Sequence, residues 1–154
     1  MRAPYPQITQ MPHKPRNPAF AEEIKQSFAR QTMMDFIGAH LSRVDPGIVE
    51  ITLPYRPDMT QQHGYLHAGI VTTIADTACG YAAYSLMPPN SEVLSVEFKV
   101  NLLRPAKGEK FVAIAEVIKA GKTLTVVRAD VFGVNHEQQR ELVATMLSTM
   151  ICLL

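Results

Sequence analysis

Residues 66–88 read LHAGIVTTIADTACGYAAYSLMP, a helix-length run that is apolar or small apart from one obligate charge, Asp76, near its middle. Any fold for this chain has to bury that run and still give a carboxylate polar company. An ionised carboxylate buried without a partner is costly enough to change its pKa instead. Gln61, His63 and His67 stand just before the run, and Ala68 and Gly69 occupy positions where a helix leaves backbone N–H groups free to stabilise negative charge. One element therefore carries both an acid and a place for an oxyanion.

Helix geometry separates the two. Ala68 and Asp76 are eight positions apart, or roughly 12 Å along an ideal helix at a rise of about 1.5 Å per residue. General-base or nucleophilic work needs contact at about 3 Å, so one carbonyl reaches both groups only if the acid comes from a second copy of the chain. Two such helices packed antiparallel about a two-fold axis give a closed, isologous dimer with two equivalent sites.

The chain has 154 residues, 47% of them hydrophobic and 19% charged, which suits one domain with an ordinary core. A formal charge of +1 supplies no global attraction to nucleic acid or to acidic membranes. Cys79 and Cys152 lie in apolar runs without C-x-x-C spacing and read as reduced, buried thiols of a reducing, cytoplasmic compartment. Asp76, with Thr72, Thr73 and Thr77, argues for a buried helix over a membrane span. Residues 1–17 contain Pro4, Pro6, Pro12 and Pro15, show no signal-peptide order, and read as an extended proline-rich tail ahead of a single domain at 18–154.

Around the central run the periodicity predicts helix, strands, helix, strands. Asn17 followed by Pro18 reads as the start of a helix running to about Gly38, with Phe20, Ile24 and Phe28 on one face and Met33 and Met34 filling the core. Asp45-Pro46-Gly47 turns between two short strands at 41–44 and 48–54. Leu94, Val96, Phe98, Val100 and Leu102 then alternate with polar residues, which predicts a strand with one dry and one wet face. Strands at 111–119, 123–134 and 142–154 complete a curved antiparallel sheet wrapped around the apolar helix, an α+β architecture.

With these residues in view the chain resembles the hot-dog-fold acyl-CoA thioesterases, and among them the PaaI-like, phenylacetate-degradation branch. The resemblance rests on Gln61-Gln62-His63-Gly64-Tyr65-Leu66-His67-Ala68-Gly69, on Ile74-Ala75-Asp76-Thr77-Ala78 and on the segment from Val96 through Phe98 and Arg104 to Pro105, and it spans residues 38–154. The family places Asn or Gln six residues before a His-Gly-Gly and an acid nine residues after that His. Gln61, His67 and Asp76 match. Ala68 stands where the family has its first glycine; alanine keeps the N–H and adds a methyl group where substrate approaches.

The resemblance implies a hot-dog fold with an extra N-terminal helix, and an acyl-CoA thioesterase in which Asp76 is nucleophile or general base. It implies further that Ala68 N–H polarises the carbonyl, that Gln61 orients carbonyl or water, and that His67 supports the loop. Gly69, Thr77, Gly80, Lys99, Asn101 and Arg104 are the implied contacts to substrate and coenzyme A. No metal and no cofactor is implied beyond the coenzyme A thioester as substrate, and the implied partner is a second copy of the chain, with dimers pairing into tetramers.

Plainer readings stand beside these. Asp76 could pair with Arg104 or Arg128, His63 could be a loop residue, and Lys99, Asn101, Arg104 and Lys107 could form a solvated strand face. Tyr81 and Tyr84 could line an acyl pocket or pack at a dimer seam. A hot-dog dehydratase or hydratase and a non-catalytic acyl-CoA-binding protein are the alternative functions.

Overall fold

The computed structural model describes residues 13–154. The first twelve residues of the proline-rich stretch, with Pro4, Pro6 and Pro12, lie outside the described residues. The remainder of that stretch is laid against the domain: Arg16 donates from Nε to the Leu86 carbonyl at 2.8 Å, and Asn17 is buried.

Helices α1 (Phe20–Ala29) and α2 (Thr32–Ile37) lead into strands β1 (His40–Asp45) and β2 (Ile48–Pro54). After a short 3-10 turn (Pro57–Met59) come the long helix α3 (Ala68–Tyr84) and strands β3 (Glu92–Leu102), β4 (Lys110–Ala120), β5 (Leu124–Val134) and β6 (Arg140–Leu153). All strand pairs are antiparallel, in the order β1-β2-β4-β5-β6-β3. This is the hot-dog architecture, with α3 lying in the concave face of the sheet. No helix among the described residues is long and apolar enough to cross a membrane.

Small side chains on both layers let α3 sit close to the sheet. Ala75, Ala78 and Ala82 of the helix and Ala113, Ala115, Ala129 and Ala144 of the strands are all fully buried, with Ile74, Ile51 and Met146 filling the larger gaps. Close packing of this kind leaves little slack, so the helix is held in one position by contacts from several strands.

The expected helix from Asn17 to Gly38 is two helices. Phe20, Ile24 and Phe28 do line one face of α1, but the N–H groups of Arg30 and Gln31 bond to the Ser27 and Phe28 carbonyls, and Gln31 is extended at φ −79, ψ 95. The break re-phases the apolar face, so that Met34 and Ile37 are buried while Met33 is 53% exposed and fills no core. Gly38, at φ +76, ends α2 in the left-handed conformation that glycine adopts without steric cost.

The dry face expected on β3 is also absent. Leu94, Phe98 and Leu102 are 57%, 43% and 55% exposed. Two features of the strand cause this. It is one of the two edge strands, with no strand beyond it among the described residues, and Ser95 and Glu97 pair with the consecutive residues Met150 and Thr149, so Val96 is an extra, bulged residue. The bulge turns Ser95 towards α3 and breaks the alternation that the sequence displays.

Strand β5 approaches the loop before β4 through Gly133, where an added Cβ would lie 2.0 Å from the Lys107 carbonyl oxygen. That loop also anchors the start of α3, because Ala106 accepts the Leu66 N–H at 3.1 Å. Gly133→Ala is therefore expected to lower unfolding free energy by about 1–3 kcal/mol through overpacking against backbone. Urea denaturation checks this, and an unshifted midpoint would contradict it.

Candidate active site

The segment before α3 is a small, fully bonded platform. Thr60 bridges Leu66, Gln61 N–H donates to the Tyr65 carbonyl at 2.9 Å, and His67 N–H donates to the Met59 carbonyl at 2.9 Å. Buried Met59 and Leu66 pin it to the core. Gln61 uses its Oε1 to accept the His63 N–H, so its amide NH2 has no partner among the described residues. His63 itself is an exposed loop residue.

His67 is the N-cap of α3. Its Nδ1 accepts the Gly69 N–H at 2.9 Å, which corrects the expectation that Ala68 and Gly69 both offer free donors. Only the Ala68 N–H remains without a partner among the described residues at this helix start, since Ile70 and Val71 bond to the His67 carbonyl. Ala68 and Gln61 line one cavity of about 460 Å³, together with Leu102, Arg104 and Val143. A helix N-terminus, a free amide N–H and a side-chain amide thus converge on one space suited to a polarised carbonyl.

Asp76 lies elsewhere. It is half-buried on the open stripe of α3 that also carries Thr73, Thr77 and Gly80. These residues, Thr73 excepted, wall a separate cavity of about 270 Å³ with Ser95, Tyr81 and Gln31. Its partner is Ser95, whose hydroxyl donates to Asp76 Oδ1 at 2.8 Å. The arginine pairings considered from the sequence do not form: Arg104 bonds Glu141 at 3.3 Å and Arg128 bonds Asp130 at 2.6 Å. Among the described residues no cation reaches Asp76, and one carboxylate oxygen is left for chemistry.

Just over two turns of α3 keep Ala68 and Asp76 apart, as the spacing requires. Gln61, Ala68 and Arg104 share the first cavity; Asp76, Thr77 and Gly80 share the second. Lys99 and Asn101 join neither, being exposed on β3 opposite Leu147 and Thr145. Lys107 sits over the Tyr65 ring at 5.2 Å from its centroid, beside the first cavity.

Ser95 is the residue that sequence reasoning missed. The alternating pattern assigned it to the wet face, and only the bulge brings it to Asp76. Cys79 is enclosed next to the acid, and burial, reinforced by the nearby Asp76 carboxylate, pushes its thiol well above the ordinary range, which leaves it unreactive. Cys152 is half-buried, and both cysteines are free thiols. No cluster of three or more metal-ligating His, Cys, Asp or Glu side chains occurs among the described residues.

Comparison with known proteins gives the class. The thioesterase superfamily model matches residues 63–138, the stretch that holds the α3 entry, Asp76 and Ser95. The crystal structure of a thioesterase family protein from Silicibacter pomeroyi superposes with a TM-score of 0.86 at 49% identity, covering 88% of this chain and 98% of that one. The PaaI protein of the Escherichia coli phenylacetic acid degradation operon shares the fold, with a TM-score of 0.78 at 21% identity over 90% of this chain and 96% of its own. The medium/long-chain acyl-CoA thioesterase YigI of Escherichia coli is 22% identical over 73% of this chain and 80% of its own length. The chain belongs to the thioesterase superfamily, the hydrolases that act on thioester bonds.

His67→Ala is expected to cost about 1 kcal/mol of stability through loss of the N-cap, and His67→Asn to restore most of it. Thermal unfolding of the two variants checks this; equal melting temperatures would contradict the capping role.

Proposed function

We propose that the chain hydrolyses acyl-CoA thioesters at two equivalent sites of a homodimer, each built from Asp76 of one subunit and Ala68 of the other. The observation that carries this is the position of Asp76: a carboxylate on an open helix stripe, bonded by one serine hydroxyl and, among the described residues, paired with no cation. Such a group is held in place yet free to act.

The chemistry needs few parts. Ala68 N–H, at the positive end of α3, donates to the thioester oxygen and stabilises the negative charge that develops there, and the Gln61 amide orients the carbonyl or the water. The Asp76 carboxylate takes a proton from the water that attacks the carbonyl carbon, or attacks that carbon itself to give a mixed anhydride that water then cleaves to free acid and carboxylate, and Ser95 fixes its orientation. Collapse of the tetrahedral intermediate expels coenzyme A as a thiolate, which is stable enough near neutral pH to leave without a strong acid. Arg104, on the wall of the Ala68 cavity, supplies positive charge for the coenzyme A portion.

The dimer follows from two unfinished surfaces on one side of the molecule. Strand β3 has an unpaired edge with exposed Leu94, Phe98 and Leu102, and α3 leaves Gly69, Thr73, Asp76 and Gly80 uncovered. Pairing of two β3 edges satisfies the open backbone groups and sets the two α3 stripes face to face. A dehydratase or hydratase draws less support, because His67 is engaged as a helix cap and sits far along α3 from Asp76 in its own chain.

Asp76→Asn keeps shape and hydrogen bonding but removes the charge. Its expected effect is a fall in kcat for acyl-CoA hydrolysis of about 100-fold or more, corresponding to roughly 3 kcal/mol in the barrier. A thiol-release assay over a panel of acyl-CoA esters measures it, and a near-native rate would reject Asp76 as the catalytic group.

A further inference from the structure

The helix break at Gln31 has a chemical consequence at the far end of the Asp76 cavity. Because Gln31 is extended rather than helical, its side chain leaves α1 and α2 and reaches Tyr81, donating from Nε2 to the phenolic oxygen at 2.9 Å. Tyr81 in turn donates to Ser27 Oγ at 3.1 Å. Tyr81 is only 4% exposed, its ring packs against Phe28 with centroids 6.0 Å apart, and so the chain Gln31–Tyr81–Ser27 is a fixed wall. All three side chains line the cavity that holds Asp76.

The wall is not saturated. Gln31 Oε1 has no partner among the described residues, and neither does the Ser27 hydroxyl hydrogen. An acceptor and a donor therefore face the cavity side by side. Beyond them the space does not become apolar. Ser27, Tyr81, Glu92 and Val93 also wall a neighbouring cavity of about 410 Å³, which contains Glu23, Arg30 and Tyr84. Tyr84 donates to Glu23 Oε2 at 3.2 Å, so that chamber is already organised around charge.

We propose that Ser27, Gln31 and Tyr81 are specificity-determining residues of the acyl subsite, selecting short acyl groups that end in a hydroxyl or carbonyl over long saturated chains. The inference rests on the thioesterase reading given above. With the thioester carbon at Asp76, the acyl group extends away from the partner's Ala68 and along this cavity. A distal hydroxyl there donates to Gln31 Oε1 and accepts from Ser27, exchanging water for equivalent partners. A saturated chain strips water from the same groups and returns nothing, and a longer one runs on towards Glu23, Glu92 and Arg30. Sites built to bond a polar substrate group reject the analogue that lacks it strongly, because their own polar groups are left unpaired.

The test compares kcat/KM for a series of short ω-hydroxyacyl-CoA esters, each against its methyl-terminated isostere, with decanoyl-CoA as the long saturated ester. The native protein is expected to prefer the best hydroxy ester over its isostere by about ten-fold or more, and over decanoyl-CoA as well. In the double variant Gln31→Met, Tyr81→Phe the ratio of hydroxy ester to isostere is expected to collapse to about one. Ser27→Ala, which leaves the ring packing intact, should lower it several-fold, and circular dichroism confirms that each variant is folded. Hydrolysis with a ratio near one in the native protein, with decanoyl-CoA preferred, or with a ratio unmoved by the variants, would overturn the subsite and leave the thioesterase reading standing. Absence of hydrolysis for every ester would overturn that reading, and the subsite with it.

Discussion

One carboxylate on an otherwise apolar helix organises this molecule. The α3 sequence is hydrophobic enough to be enclosed by a curved sheet, and its Ala75, Ala78 and Ala82 are fully buried, as are alanines on β4, β5 and β6. Complete enclosure would strand Asp76 without water or a partner. The sheet solves this by ending early on one side: β3 is an edge strand, its bulge brings Ser95 to the acid, and a stripe of small and polar residues along α3 stays open. The same unfinished edge that leaves Asp76 accessible is the surface on which the proposed second subunit would pair.

Local bonding at the start of α3 divides labour between residues that look interchangeable in the sequence. His67 and Gly69 satisfy each other in a cap and so define where α3 begins, whereas the Ala68 N–H between them stays available. Gln61 is fixed through its carbonyl oxygen and presents its amide nitrogen. The departure from glycine at position 68 leaves this donor intact, and the added methyl group narrows the cavity that Ala68 shares with Leu102 and Val143. Catalysis by positioned dipoles depends on such donors being held rigidly before substrate arrives.

Much of the fold was legible in residue order. The apolar run with its single charge located α3, Asp45-Pro46-Gly47 located the hairpin, and period-two patterns located the long strands, because each of these signals is local. The misses were all cases in which a neighbour distant in sequence decides. Helix propensity gives no sign that Gln31 leaves the helix to meet Tyr81, fifty positions on. The alternation from Leu94 to Leu102 is real in the sequence, but the strand lies at a sheet edge with Leu94, Phe98 and Leu102 exposed, and a bulge at Val96 shifts its phase. The spacing of Gln61, His67 and Asp76 singled out the candidate residues, and the rise per residue along α3 already placed Ala68 and Asp76 too far apart to share one cavity.

Sharing of each site between subunits is tested most directly by complementation. Ala68 is the first residue of α3, where proline is favoured, and His67 at φ −61, ψ 137 suits the position before proline, so Ala68→Pro deletes the N–H with the helix retained. Asp76→Asn and Ala68→Pro chains, each inactive alone, are co-expressed and acyl-CoA hydrolysis is measured on the mixed population. Random pairing into dimers with sites built across the two-fold axis leaves about one site in four intact, so roughly a quarter of native activity returns. A mixture as inactive as its parents would mean that acid and amide act within one chain, and would contradict the shared site.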